Sequence, residues 1–142
     1  MKTIGLIGGM SWESSASYYR LINQGVKQRL GGQHNAQSLM LTLDFAQVEA
    51  LQVQGDWQAL GRIMATASQQ LAAGGADFIV LCTNTMHKLA DDIENASALP
   101  LLHIADATAE AIKAQGIERV GLLGTSYTMS FRFGKIFLCS AV

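Results

Sequence analysis

Proline and cysteine are scarce in this sequence: one proline and two cysteines stand among 142 residues. Two cysteines are too few for a disulfide framework, so the fold must rest on an apolar core. In a reducing compartment a cysteine at a strand end is a thiol. Charge is sparse as well. Charged residues make up 15%, and ten Lys/Arg against eleven Asp/Glu leave a formal net charge of −1. A generic nucleic-acid binder needs a basic stripe, which this balance excludes. Apolar residues at 49% exclude a disordered chain. No apolar run reaches the roughly 18 residues of a membrane span. The run that opens at Ile4 is closed by Gly8-Gly9, too soon for a signal peptide, and no cleavage site comes after it. These absences predict a cytoplasmic protein of one ordinary domain's length, with no nucleic-acid and no membrane partner.

Glycine is plentiful, and it sits between apolar segments. Ile4-Gly5-Leu6-Ile7 reads as a buried strand closed by Gly8-Gly9. Ser11 caps a helix running to about Leu30, with Tyr18, Leu21, Ile22 and Val26 on one face. Leu39–Leu43 is a second strand with Asp44 at its carboxyl end. A short helix comes next, then a longer one striped by Leu60, Ile63, Met64, Ala67 and Leu71. Phe78-Ile79-Val80-Leu81 is the third strand, and a helix begins just after Cys82-Thr83-Asn84-Thr85. Pro100 introduces a fourth strand over Leu101–Ile104, and Asp106 opens a helix to about Gln115. Val120-Gly121-Leu122-Leu123 is a fifth strand. Such alternation predicts an α/β fold, an open parallel sheet with helices on both faces.

Val120–Gly124 echoes Ile4–Gly8 at an offset of 116 residues. Buried strands that end in glycine look alike, and that alone could explain the echo. The sharper reading is a duplicated α/β unit. The amino-terminal domain then spans 1–117, and 118–142 begins a second, truncated unit whose tail carries no helical stripe.

Ligands of open parallel sheets bind beyond the carboxyl ends of the strands. Four groups are expected there: Gly8-Gly9-Met10-Ser11, Asp44, Cys82–Thr85 and Gly124-Thr125. Cys82 matters most. At a helix amino terminus, amides and dipole would stabilise its thiolate and lower its pKa. Thr83, Asn84 and Thr85 add short donors that could hold a carboxylate beside a basic sulfur. That suits removal of a proton from a carbon next to a carboxylate. The plainer alternative is a buried structural cysteine. Gly8-Gly9 could cradle a phosphate or carboxylate, but the pattern is GxxGG and not the dinucleotide GxGxxG, and Asp44 comes late for a ribose contact. Asp44 could equally be a strand-end turn residue, Thr125 a helix cap and Trp12 a helix-start aromatic or a pocket wall. A Cys/His hydrolase is another reading, but His87 lies five residues past Cys82 on the same expected helix, a poor placement for reaching the sulfur, and no GxSxG elbow is present. His87 and His103 could be hydrogen-bonded fold residues, and His34 is solvated. The three histidines lack metal-ligand spacing and no CxxC is present, so no metal is expected.

Gly8-Gly9-Met10-Ser11-Trp12-Glu13-Ser14, Leu81-Cys82-Thr83-Asn84-Thr85-Met86-His87-Lys88 and Leu123-Gly124-Thr125 together resemble the aspartate/glutamate racemase superfamily, in particular its bacterial amino-acid racemase branch. The likeness runs to about Met129. It implies two similar α/β domains facing each other across a cleft, and racemisation of an amino acid without PLP or any other cofactor. Two cysteines flank the substrate carbon; one removes the α-proton and the other returns a proton from the opposite face. By this resemblance Cys82 is the first-domain catalytic cysteine. Thr83, Asn84 and Thr85 match residues that hold the substrate carboxylate, and Met10, Ser11 and Thr125 match positions lining the same pocket. The second cysteine would fall near 198, past the last residue here, and Cys139 lacks its Gly-Cys-Thr motif. The expectation is therefore an impaired racemase, and an exposed apolar face that favours a homo-oligomer. Three alternatives stay open: hydantoin racemisation or malonate decarboxylation on the same scaffold, a non-catalytic ligand-binding domain, and a nucleotide-binding domain.

Overall fold

The computed structural model describes residues 1–121, 123, 124 and 127. Three parallel strands form an open sheet in the order β2-β1-β3: β1 (Ile4–Gly8), β2 (Ser38–Thr42) and β3 (Phe78–Leu81). The register places Ile4 opposite both Ser38 and Phe78, and Ile7 opposite both Leu41 and Leu81. Alternation along the central strands then sorts the side chains. Leu6, Val80 and Cys82 point to one face, while Ile7, Ile79 and Leu81 point to the other.

Helix α1 (Trp12–Leu30) covers the first face through Tyr18 and Ile22. Helices α2 (Phe45–Gln54), α3 (Trp57–Ala73) and α4 (Ala90–Ser97) cover the second. There Val48, Leu60, Met64, Ala67, Leu71 and Ile93 join the strand residues in one buried cluster. The α3 stripe at helical spacing is what the sequence predicts. Each fully buried leucine or methionine of this kind contributes about 1.5–3 kcal/mol. Ser68 lets α3 and α4 approach closely, because its buried hydroxyl donates to the carbonyl of Ile93 at 3.1 Å.

Short polar side chains start the helices. Ser11 accepts from the Ser14 amide, Asp44 from that of Ala46 and Asp56 from that of Ala59. Asp44 is thus a helix cap.

Past β3 the chain departs from expectation. The helix foreseen after Thr85 is a short 3-10 segment, Thr85–Leu89, leading into α4. The fourth strand shrinks to a single parallel bridge between Leu101 and Ile79. Helix α5 (Ile104–Ala114) begins two residues before Asp106, because the His103 side chain caps it by accepting from the Ala105 amide at 3.1 Å. That turn into helix leaves no room for a longer strand. Val120, Gly121 and Leu123 are not in a strand, and Leu122 lies outside the described residues.

Candidate active site

Cys82 stands directly after β3, and its amide still donates to the carbonyl of Ile7 at 2.9 Å. The sheet therefore fixes its backbone. Its side chain is fully buried, packed with Leu6 and Val80 beneath Tyr18 of α1. Above it opens a cleft of about 350 Å³ lined by Ser14, Tyr18, Cys82, Thr83, Asn84, Thr85 and Gly124. Two roomier hollows lie elsewhere. One of about 430 Å³ sits between α2 and α3, beside Leu51 and Ile63. Another of about 520 Å³ borders α1 at Arg20 and Lys27. Neither contains a cysteine, so chemistry and not size selects the cleft over Cys82.

Burial pushes the Cys82 thiol up to about 11. The sequence suggests the opposite, a thiolate favoured by a helix amino terminus. The physical reason is plain. The segment beginning at Thr85 is a five-residue 3-10 turn with little dipole, and desolvation of the charged sulfur prevails. Near neutral pH the sulfur is a protonated thiol. The pKa of the Tyr18 phenol is also raised, first by its own burial and then by repulsion from a Cys82 thiolate.

The cleft brings together five of the expected residues: Cys82, Thr83, Asn84, Thr85 and Gly124. It does not bring in Met10, which is buried in the cluster on the opposite face of the sheet. Ser11 caps α1, and its hydroxyl donates to Glu13 Oε2 at 2.8 Å. Thr125 and Cys139 lie outside the described residues. The Gly9 amide of the Gly8-Gly9 turn is taken up within the protein, donating to Ser15 Oγ at 3.0 Å. Trp12 is largely exposed and absent from the lining. His34 is exposed, as expected.

Ser14 and Tyr18 are lining residues that motif reading overlooks. Their spacing of four on α1 was the available signal, since it puts both on one helix face. His87 is likewise placed by the structure and not by its motif. It is buried, its Nδ1 lies 2.7 Å from the Thr83 carbonyl, and its Nε2 accepts from the Ile104 amide at 3.3 Å. These partners define a neutral ring with the proton on Nδ1. Desolvation, together with nearby His103, lowers its pKa to about 4, against backbone hydrogen bonds that favour the charged form. The two rings lie 4.5 Å apart, centroid to centroid. Among the described residues no group of three or more His, Cys, Asp or Glu is arranged to hold a metal. No helix of the described residues is long and apolar enough to cross a membrane.

The family model Asp/Glu/hydantoin racemase matches residues 7–136. Two solved structures are similar over nearly all of the chain. A candidate Asp/Glu racemase from Yersinia pestis is 55% identical, with a TM-score of 0.92; the match covers 100% of this chain and 63% of that one. An aspartate racemase homologue from Pyrococcus horikoshii OT3 is 30% identical, with a TM-score of 0.85, covering 99% of this chain and 62% of that one. The chain thus spans less than two thirds of the length of either relative.

Proposed function

The chain belongs to the Asp/Glu/hydantoin racemase family, and from that premise we propose that it carries one half of a cofactor-independent amino-acid racemase site, with Cys82 as its acid/base. The observation that carries this reading is the position of Cys82: the end of a buried strand, under a cleft rimmed by Thr83, Asn84 and Thr85. Thr83, Asn84 and Thr85 hold the α-carboxylate. The Cys82 thiolate takes the α-proton and becomes a thiol, and the electron pair left on carbon delocalises into the carboxylate. Such a carbanion needs fixed donors and exclusion of water.

The high pKa of the thiol fits this task once substrate binds. A weakly acidic carbon needs a strong base, and the substrate's ammonium group beside the sulfur would offset the desolvation that otherwise keeps it protonated. Cys82 reaches one face of the carbon. Inversion needs a second acid on the other face, and Cys82 is the only free cysteine among the described residues. The same chemistry requires a reduced sulfur, which fits a cytoplasmic setting. Self-association through exposed apolar side chains such as Leu102 and Val53 is part of the proposal. Light scattering should show species larger than monomer, and a clean monomer at high concentration removes that part.

A second reading is favoured by one observation: among the described residues, none of the seven that line the cleft is charged. A neutral substrate such as a 5-substituted hydantoin suits that wall. The test is incubation in D2O with L- and D-aspartate, L- and D-glutamate and a hydantoin, following the α-proton by NMR and chirality by chromatography. The expected result is exchange of one enantiomer with retention, lost in Cys82→Ala. Exchange with inversion would assign a second acid to another part of the assembly. Exchange that survives Cys82→Ala, or none with any substrate, would overturn the proposal.

A further inference from the structure

The proposed chemistry uses Cys82 and the three residues after it, and it gives no part to the buried His87. A buried polar ring is retained at a cost unless its bonds do something for the fold or the site. His87 joins two separate pieces of chain. Nδ1–H donates to the carbonyl of Thr83, the first residue after the thiol, at 2.7 Å. Nε2 accepts from the amide of Ile104, the first residue of α5, at 3.3 Å. The His87 backbone amide also donates to the Asn84 carbonyl at 3.1 Å. Main chain and side chain of one residue thus grip Thr83 and Asn84, two of the three residues that rim the cleft beside Cys82.

We infer that His87 is the positioning residue of this site: its Nδ1–H bond to the Thr83 carbonyl sets the Thr83–Thr85 rim at the height the substrate carboxylate needs. This rests on the function proposed above. The imidazole is not a base for the sulfur, since its two nitrogens are committed to the backbone. A peptide plane held at its carbonyl is also held at its other end. Fixing the Thr83 carbonyl therefore fixes the amide of Asn84, and with it the donor geometry over Cys82. Its link to Ile104 serves a different end, the attachment of α5.

Two conservative variants separate the two links. In His87→Asn the amide nitrogen falls near Nδ1 and can still donate to Thr83, while the Ile104 link is lost. In His87→Gln the amide oxygen falls near Nε2 and can accept from Ile104, while the Thr83 link is lost. His87→Leu removes both. The Thr83 carbonyl ¹³C shift reads the first link, and hydrogen exchange of the Ile104 amide reads the second. Substrate washout in D2O reads the site. Half-saturating amino acid should rise about tenfold to a hundredfold in His87→Gln and His87→Leu, as misplacement of a binding group does. His87→Asn should stay within about threefold of wild type, even where it melts earlier than His87→Gln. Washout that follows the Ile104 amide, or that falls equally in the Asn and Gln variants, would overturn the inference. If wild type shows no washout, the proposed function fails. The inference is then decided by the backbone shifts of Asn84 and Thr85, which must move in His87→Gln and not in His87→Asn.

Discussion

The hydroxyl of Ser15 takes a hydrogen bond from the Gly9 amide at 3.0 Å and donates one to the Ser11 carbonyl at 3.1 Å. One side chain thereby joins the end of β1 to the first turn of α1. Gly9 sits at φ +93°, where a side chain is strained, and a Cβ there would run into the backbone of Leu43. The Gly-Gly turn is built to pass between β2 and α1. Ser15→Ala, which strands a buried N–H, should cost about 1–3 kcal/mol in urea melts. Gly9→Ala should cost more than about 3 kcal/mol, from strain and overlap together. If Ser15→Ala is neutral, the bond does not hold the turn.

Cys82 should react slowly when no substrate is added. Its thiol is pushed up to about 11, and the thiolate is the nucleophile. Iodoacetamide labelling should rise about tenfold per pH unit through pH 8 to 10 and level off only near the folded pKa. A plateau already at pH 8 would mean that the protein stabilises the thiolate without substrate.

The same thiol makes stability depend on alkaline pH. Its folded pKa of about 11 exceeds the ordinary value of 9.0. The preference for the neutral form therefore stabilises the fold fully below pH 9 and is lost as pH rises from 9 toward 11. The loss amounts to roughly 2–3 kcal/mol at completion. Cys82→Ala removes this slope. Equal alkaline slopes in wild type and Cys82→Ala, measured by urea melts at pH 8 to 10.5, would contradict the buried-thiol description.

Much of the fold was legible because three apolar runs and two amphipathic stripes have the right period and clear glycine or capping boundaries. Ile4–Gly8, the α3 stripe from Leu60 to Leu71 and Phe78–Leu81 fall where pattern places them. Leu101–Ile104 misled because four apolar-looking positions after a proline can be strand or helix start. The deciding contact was the His103 cap, and histidine is not a usual cap residue. For the site, position was legible and environment was not. That Cys82 closes β3 can be read from the sequence. That it lies under Tyr18 with no long helix behind it depends on packing, and burial reversed the expected pKa shift. Met10 shows the same limit: after the Gly-Gly turn, nothing in the sequence says which face of the sheet its side chain joins, and packing puts it in the cluster with Ile7 and Leu81.

His87 gives the chain an acid-sensitive element. Burial first, and the neighbouring His103 second, lower its pKa from 6.5 to about 4. The unfolded chain takes up this proton near pH 6.5, whereas the folded chain resists until about 4. The stabilisation is therefore complete above pH 6.5 and declines as pH falls toward 4, by roughly 3 kcal/mol in all. Protonation would also add a charge 4.5 Å from the His103 ring and remove the acceptor that holds the Ile104 amide. Acid unfolding should accordingly begin with the attachment of α5. Urea melts at pH 7.5, 6.5, 5.5 and 4.5 should show a steeper loss for wild type than for His87→Gln, which cannot titrate. The Ile104 amide should exchange sooner than those of β1. Parallel loss in the two proteins would assign acid sensitivity to the carboxylates and clear His87 of it.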